Sequence, residues 1–304
     1  LNGCLDQGGA FFDRLDFSTS MHSAEVAMAK RAMQCKRLVV KIGTSSLIHP
    51  NGKVNLQTID RLAYSLTALN NQGYELVLVT SGAIGVGMAE LGMSKRPAVI
   101  AEQQALAAIG QSELMTLYTQ RFSDYGAKIG QLLLTHDVFD YPMNRQHVLD
   151  TIDALLAQQV IPVINENDSV AVDELDHRTT FGDNDQLSAL VAKQIGADLL
   201  VVLSDIDGLY DRDPNRHPDA ALMPTITQLS AKVMAAAGGS STRFGTGGMV
   251  TKLKAAKTMM RAGKQMVLAS GRDPRIVLQI LAGDPVGTWF GQPKQAASVS
   301  QSFQ

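Results

Sequence analysis

The chain is 304 residues long, 45% hydrophobic and 18% charged, with 29 acidic residues against 27 basic ones. Such a balance argues against nucleic acid or an anionic membrane as the main partner, since both call for a basic surface. No apolar run approaches the ~18 residues of a membrane helix, and the length suffices for one large or two medium domains with a substantial core.

Cys4 and Cys35 form neither a disulfide nor a metal framework, which suits a cytoplasmic, reducing compartment. Six histidines lie scattered with no pair at metal-ligand spacing, so structural zinc is not expected. Asn167-Asp168-Ser169 matches a glycosylation sequon, but no signal-like segment precedes it and the match reads as chance. Residues 1–34 lack a clear period and are read as an N-terminal extension, disordered or foreign to the fold. The regular pattern runs over 35–291, and 292–304 reads as a tail.

From Lys36 onward strands and helices alternate. Arg37–Ile42 reads as a buried strand ending in Gly43-Thr44-Ser45-Ser46, and Leu56, Ile59, Leu62, Ala63, Leu66 and Leu69 mark a helix that stops near Gly73. Glu75–Val79 is a second strand running into the loop Thr80–Gly87. Two helices are expected next, Pro97–Ile109 and Ser112–Tyr125, the first opened by its proline. Ile129–Leu134 is a third strand. A helix carrying Val148, Ile152, Leu155 and Leu156 leads to a fourth at Val160–Ile164, followed by the loop Asn165–Asp168. Residues 170–182 read as a hairpin or flap, and Asp183-Asn184-Asp185 opens a helix with Leu187, Leu190, Val191 and Ile195 inward. A fifth strand, Leu199–Leu203, runs into Ser204-Asp205. The glycine-rich Gly245–Lys252 opens another helix, and a strand near Gln265–Ala269, a helix at Pro274–Leu281 and a strand at Val286–Phe290 close the pattern.

This alternation predicts an α/β fold, a three-layer αβα sandwich with a mainly parallel central sheet. Ligands of such sheets bind beyond the carboxyl ends of the strands. Gly43–Ser46, Thr80–Gly87, Asn165–Asp168 and Ser204–Asp205 are thereby candidates to share one sheet edge.

Gly245-Thr246-Gly247-Gly248-Met249-Val250-Thr251-Lys252 has the makings of a phosphate cradle: bare backbone N–H groups at a helix start, with a lysine in the first turn. It is not a Walker loop, because Thr251 stands where Gly must precede the Lys. Nor is it a dinucleotide fingerprint, because Val250 stands where a third Gly is required. The same composition also describes an ordinary surface loop, and the stretch alone does not decide between them. Lys41, at the end of a buried strand, either snorkels to the edge or meets an anion there. Together Lys41 and Lys252 fit the electrostatic demands of phosphoryl transfer. The acidic and amide residues Asn165–Asp168 and Asp183–Asp185 fit an ammonium group, orientation of the lysines, or a nucleotide-borne Mg²⁺. Helix capping accounts for one of the triplet and an Asx turn for the Asn165 loop, but not for their number. Ser81 offers a hydroxyl for a carboxylate or phosphate; no histidine motif accompanies it as a nucleophile.

Five motifs in register resemble the glutamate 5-kinases of the amino acid kinase family over about residues 36–290. They are Val40–Ser45, Val79–Ile84, Val163–Asp168, Phe181–Asp185 and Gly245–Lys252. The resemblance implies transfer of the ATP γ-phosphate, with Mg²⁺ carried by the nucleotide, to the side-chain carboxylate of L-glutamate in the first step of proline synthesis. It implies catalytic roles for Lys41 and Lys252, and glutamate binding by Ser81, Asp168 and Asn184. Nucleotide binding falls to Lys41, Ser204, Asp205 and Thr246, Gly247, Gly248, Met249, Val250, Thr251 and Lys252. Asp183 and Asp185 are added as orienters of substrate and lysines, Asp185 among the catalytic set. The resemblance further implies inhibition by proline and a homo-oligomer, dimer or tetramer. No C-terminal PUA module is expected, and the segment 173–182 reads as longer than in compact relatives. A kinase for another amino or carboxylic acid, and a non-catalytic nucleotide or proline sensor, are the competing readings.

Overall fold

The computed structural model describes residues 35–171, 184–236 and 248–292. In chain order these form β1 (Arg37–Ile42), α1 (Thr44–Leu47), α2 (Leu56–Asn71), β2 (Glu75–Val79), α3 (Ala83–Glu90), α4 (Ile100–Asp124) and β3 (Lys128–Leu134). Then follow α5 (Pro142–Ala157), β4 (Val160–Glu166), α6 (Asn184–Gln194), β5 (Leu199–Ser204), β6 (Thr225–Ile226), α7 (Ala231–Ala236), α8 (Met249–Arg261), β7 (Gln265–Ser270), α9 (Ile276–Leu281) and β8 (Thr288–Phe290). The sheet order is β3-β4-β2-β1-β5-β7-β8-β6. Its first six strands are mutually parallel and β8 runs antiparallel to β7, in keeping with the mainly parallel sheet expected from sequence.

The pleat sorts side chains between two cores. Leu38, Val40 and Ile42 of β1 face the layer of α2, α4 and α9, packing with Ile59, Leu62, Leu114, Phe122 and Ile280. Val39 faces the opposite layer, with Leu187 and Val191 of α6 and Leu253, Ala256 and Met259 of α8. Lys41 shares the parity of Val39. Strand geometry alone therefore points it toward the layer whose helices carry Asp185 and Lys252.

Several boundaries differ from the sequence expectation. The two helices placed at 97–109 and 112–125 are one helix, α4, continuous through Gly110. Glycine is there for proximity, not as a stop: a Cβ on Gly110 would lie 1.9 Å from the Ala83 carbonyl oxygen, and one on Gly87 would lie 2.1 Å from that of Leu106. The segment 80–87, expected as a loop, is mostly α3, and most of 43–46 belongs to the single turn α1. Asn165 and Glu166 extend β4, where a loop was expected. The short elements β6 and α7 had no signal of their own in the pattern. Of the expected flap at 170–182, only Val170 and Ala171 lie within the described residues; their N–H groups both donate to the Asn167 carbonyl.

The amino-terminal edge of the sheet is tied by a polar clasp. Asp198 Oδ2 accepts from the backbone N–H groups of Lys36 and Arg37 at 2.9 and 3.2 Å, and Lys264 Nζ reaches Asp198 Oδ1 at 3.4 Å. Arg37 Nε meets Glu75 Oε2 at 2.7 Å. Burial draws the Asp198 pKa upward, but these N–H donors and Lys264 outweigh it and hold the carboxyl below the usual range.

Candidate active site

Strands β4, β2, β1 and β5 are neighbours and parallel, so their carboxyl ends and the following segments stand side by side. The four loops selected by the sheet-edge rule therefore do share one edge. The amino termini of α1, α3, α6 and α8 open there as well, presenting backbone N–H groups and the positive ends of helix dipoles.

One buried carboxylate joins the two lysines. Lys41 Nζ lies 2.7 Å from Asp185 Oδ1, and Lys252 Nζ lies 3.2 Å from Asp185 Oδ2. Thr251 Oγ1 donates to the same Oδ2 at 2.8 Å. All three charged groups are buried, with 7%, 2% and 6% of Lys41, Asp185 and Lys252 exposed. Burial pushes the Asp185 pKa up, but the facing ammoniums and the Thr251 hydroxyl overcome it and hold the carboxyl well below the usual carboxylate range. Two ammonium groups thus converge on one carboxylate among the described residues, an arrangement that can receive an anion. Gly43 leaves the space beside Lys41 Nζ open, since a side-chain carbon there would stand 3.3 Å from it.

Beside this cluster opens a cleft of about 480 Å³, whose walls include Ser45, Ser81, Gly82, Arg96, Asn165, Asp168 and Asn184. Gly82 makes the turn from β2 into α3 at φ 97°, a left-handed conformation costly for other residues. Asn184 Nδ2 donates at 2.9 Å to the Thr80 carbonyl, to Ser81 Oγ and to Asn165 Oδ1. Asn165 Oδ1 also accepts from the Glu166 N–H at 2.9 Å, and Asn165 Nδ2 donates to Gln111 Oε1 at 2.7 Å. Because a backbone N–H is always a donor and a carbonyl always an acceptor, these bonds fix both amide orientations. They leave Asn184 Oδ1 buried and without a hydrogen-bond partner among the described residues, an acceptor waiting for a donor. Asp168 contributes a second acceptor. Burial and the nearby Glu166 charge raise its pKa to about 7, against the pull of Arg96.

On the other side, β5 ends in Ser204, whose hydroxyl donates to Asp205 Oδ1 at 2.9 Å. The first turn of α8 disperses its side chains. Lys252 and Thr251 turn to Asp185, Met249 enters the hydrophobic core, and Val250 faces solvent. Gly248 caps the helix in extended conformation with no side-chain cap bond, so backbone N–H groups of the first turn are available as donors.

Of the residues singled out from sequence, Lys41, Lys252 and Asp185 converge, and Ser81, Asn184 and Asp168 share the adjoining cleft. Ser204, Asp205 and Gly248–Val250 lie at the same sheet edge without entering that cleft. Asp183, Thr246 and Gly247 lie outside the described residues. Sequence reasoning overlooked Gln111, which α4 brings to Asn165, and Arg96, which lies on the segment joining α3 to α4 and lines the cleft; no local pattern announces either. Among the described residues no group of three or more His, Cys, Asp or Glu side chains could hold a metal ion, and no helix is long and apolar enough to cross a membrane.

Residues 36–270 match the amino acid kinase family. The chain is 58% identical over 261 residues to a glutamate 5-kinase of Lactiplantibacillus plantarum, covering 86% of this chain and 98% of that protein. It is 57% identical over 264 residues to one of Ligilactobacillus salivarius, covering 86% and 99%. Among solved structures, the isopentenyl phosphate kinase of T. acidophilum superposes with a TM-score of 0.57 at 17% identity, over 83% of this chain and 99% of that one. Carbamate kinase from Giardia lamblia bound to AMP-PNP gives 0.57 at 16% identity, over 85% and 99%. At such identities these two likenesses concern the fold alone.

Proposed function

The chain belongs to the amino acid kinase family, and on that premise we propose that it transfers the γ-phosphoryl group of ATP to the side-chain carboxylate of L-glutamate. The product is L-glutamyl 5-phosphate, and the reaction is the first step of proline biosynthesis. The observation that carries this reading is the Lys41–Asp185–Lys252 bridge beside a cleft lined with acceptors for an ammonium group. Relatives that share more than half their residues with the chain, the two described above among them, are named for the same activity.

A side-chain carboxylate, with a pKa of about 4.3, is already ionised at neutral pH and needs no general base. The barrier lies in bringing two anions together and in the charge on the transferring group. Lys41 and Lys252 answer it with two preorganised ammonium groups at the junction of the acceptor cleft and the α8 amino terminus. Asp185 holds both lysines in place. Asp168 and Asn184 take the α-ammonium, Ser81 helps seat the acceptor, and Asp183 orients it. The backbone of 246–250, with Ser204, Asp205 and Thr251, holds the nucleotide phosphates. Mg²⁺ is assigned to the phosphates of ATP, and no step is routed through protein ligands.

The test is incubation with Mg-ATP and glutamate, aspartate or acetylglutamate, trapping any acyl phosphate with hydroxylamine. Glutamyl hydroxamate alone is the expected product; its absence refutes the reading. Proline, a small zwitterion suited to the same cleft, is proposed to compete with glutamate, so it should raise the apparent KM for glutamate and leave kcat unchanged. The enzyme is further proposed to be a cytoplasmic homo-oligomer, dimer or tetramer, measurable by light scattering.

A further inference from the structure

Asp168 and Asn184 supply acceptors to the cleft, and an α-amino acid brings an α-carboxylate as well as an ammonium. Desolvating that carboxylate without a partner would oppose binding. Among the residues lining the cleft, Arg96 carries the one permanent positive charge.

Its side chain is fixed in place. Nε and Nη2 donate to Gln103 Oε1 at 3.0 and 2.7 Å, and Gln103 Nε2 donates to the Pro97 carbonyl at 2.9 Å. The guanidinium is thus anchored to the first turn of α4, and α4 is locked against α3 by the contacts at Gly87 and Gly110. Arg96 Nη1 makes no hydrogen bond among the described residues and leaves part of the planar fork for a ligand. Arg96 and Asp168 line the same cleft, so it offers a small zwitterion both a cation and a carboxylate.

We propose that Arg96 binds the α-carboxylate of the acceptor and makes the site selective for α-amino acids over acceptors with a neutral group at that position. The proposal rests on the glutamate reading above. A guanidinium matches a carboxylate in plane and charge, and Lys does so less well because it offers only a point charge. The ammonium half of the substrate is served by Asp168 and Asn184, and the reacting carboxylate by the lysine pair.

The test compares L-glutamate with L-isoglutamine, which keeps the ammonium and the γ-carboxylate but carries an uncharged amide in place of the α-carboxylate. The parent enzyme is expected to prefer glutamate in kcat/KM by about 10- to 100-fold, the range of a charge-assisted hydrogen bond. Arg96→Gln is expected to bring that ratio to within about threefold of unity by raising KM for glutamate, and Arg96→Lys to restore part of it. The KM for ATP serves as the control for folding. Loss of Arg96 also raises the proton affinity of Asp168, but this weakens both acceptors alike and cancels in the ratio. Retention of the preference in Arg96→Gln, including turnover of glutamate with none of isoglutamine, overturns the proposal. If the parent enzyme forms no glutamyl hydroxamate, the glutamate reading fails instead, and the two failures are distinct.

Discussion

Replacing Asp185 with Asn keeps the size of the side chain and removes the carboxylate that the buried Lys41 and Lys252 share. Two ammoniums bonded to different oxygens of one carboxylate stand on the order of 5 Å apart. At an effective dielectric constant of about 20 their repulsion is roughly 3 kcal/mol. The loss has a ceiling, because a lysine can instead release its proton: bringing a pKa from about 10.4 to 7 costs about 4.6 kcal/mol. A destabilisation of about 3–5 kcal/mol is therefore expected, in line with other broken buried pairs. For a domain of this size that lowers the melting temperature by roughly 10 °C. Urea denaturation at pH 7, with and without added phosphate, measures it, and an anion that refills the gap should recover part of the loss. The sign with pH is also set. The Asp185 carboxyl is held below its unfolded pKa, so its contribution is complete above about pH 4 and fades as the pH falls through the acid range. The gap between parent and variant should close accordingly. An Asp185→Asn enzyme that unfolds within about 1 kcal/mol of the parent at pH 7 would refute the argument.

Lys252→Ala should reduce kcat by about 10²- to 10³-fold while the protein still unfolds cooperatively, because Lys41 remains to neutralise Asp185; turnover within threefold of the parent rules the role out. The raised Asp168 pKa of about 7 predicts that kcat/KM for glutamate falls as the pH drops below 7, where the protonated carboxyl no longer attracts an ammonium. In Asp168→Asn this inflection should vanish, and a profile that keeps it assigns it to another group. Gly110→Ala would drive a methyl group into the Ala83 carbonyl and the Gly87 nitrogen, at a cost of about 3 kcal/mol or more. A denaturation midpoint equal to that of the parent would show that α3 and α4 can separate freely.

The four strands that carry the site were legible because each is built on a short apolar run, as expected of a sheet covered on both faces. The carboxyl-edge rule then placed the right segments together before any contact was known. Even the side of β1 on which Lys41 projects follows from its parity with Val39; which helices cover that side does not. Glycine misled the reading of 80–125. Gly82 is a left-handed turn, whereas Gly87 and Gly110 are points of helix contact, and a single residue type written in sequence does not distinguish the two uses. Arg96 and Gln111 were invisible for a related reason. Their positions depend on how α4 and the segment joining it to α3 pack, which no local spacing encodes.

The clasp of Lys36, Arg37, Glu75, Asp198 and Lys264 closes the amino-terminal edge of the strands whose other end bears the lysine pair. About six residues of strand, roughly 20 Å at about 3.3 Å per residue, separate the two ends. At that distance substitutions without shared partners add independently. The same strands can thus drift in heat tolerance at one end and in substrate preference at the other, so that lineages adapting to a warmer habitat and lineages adapting to a new acceptor draw on different residues of a common scaffold.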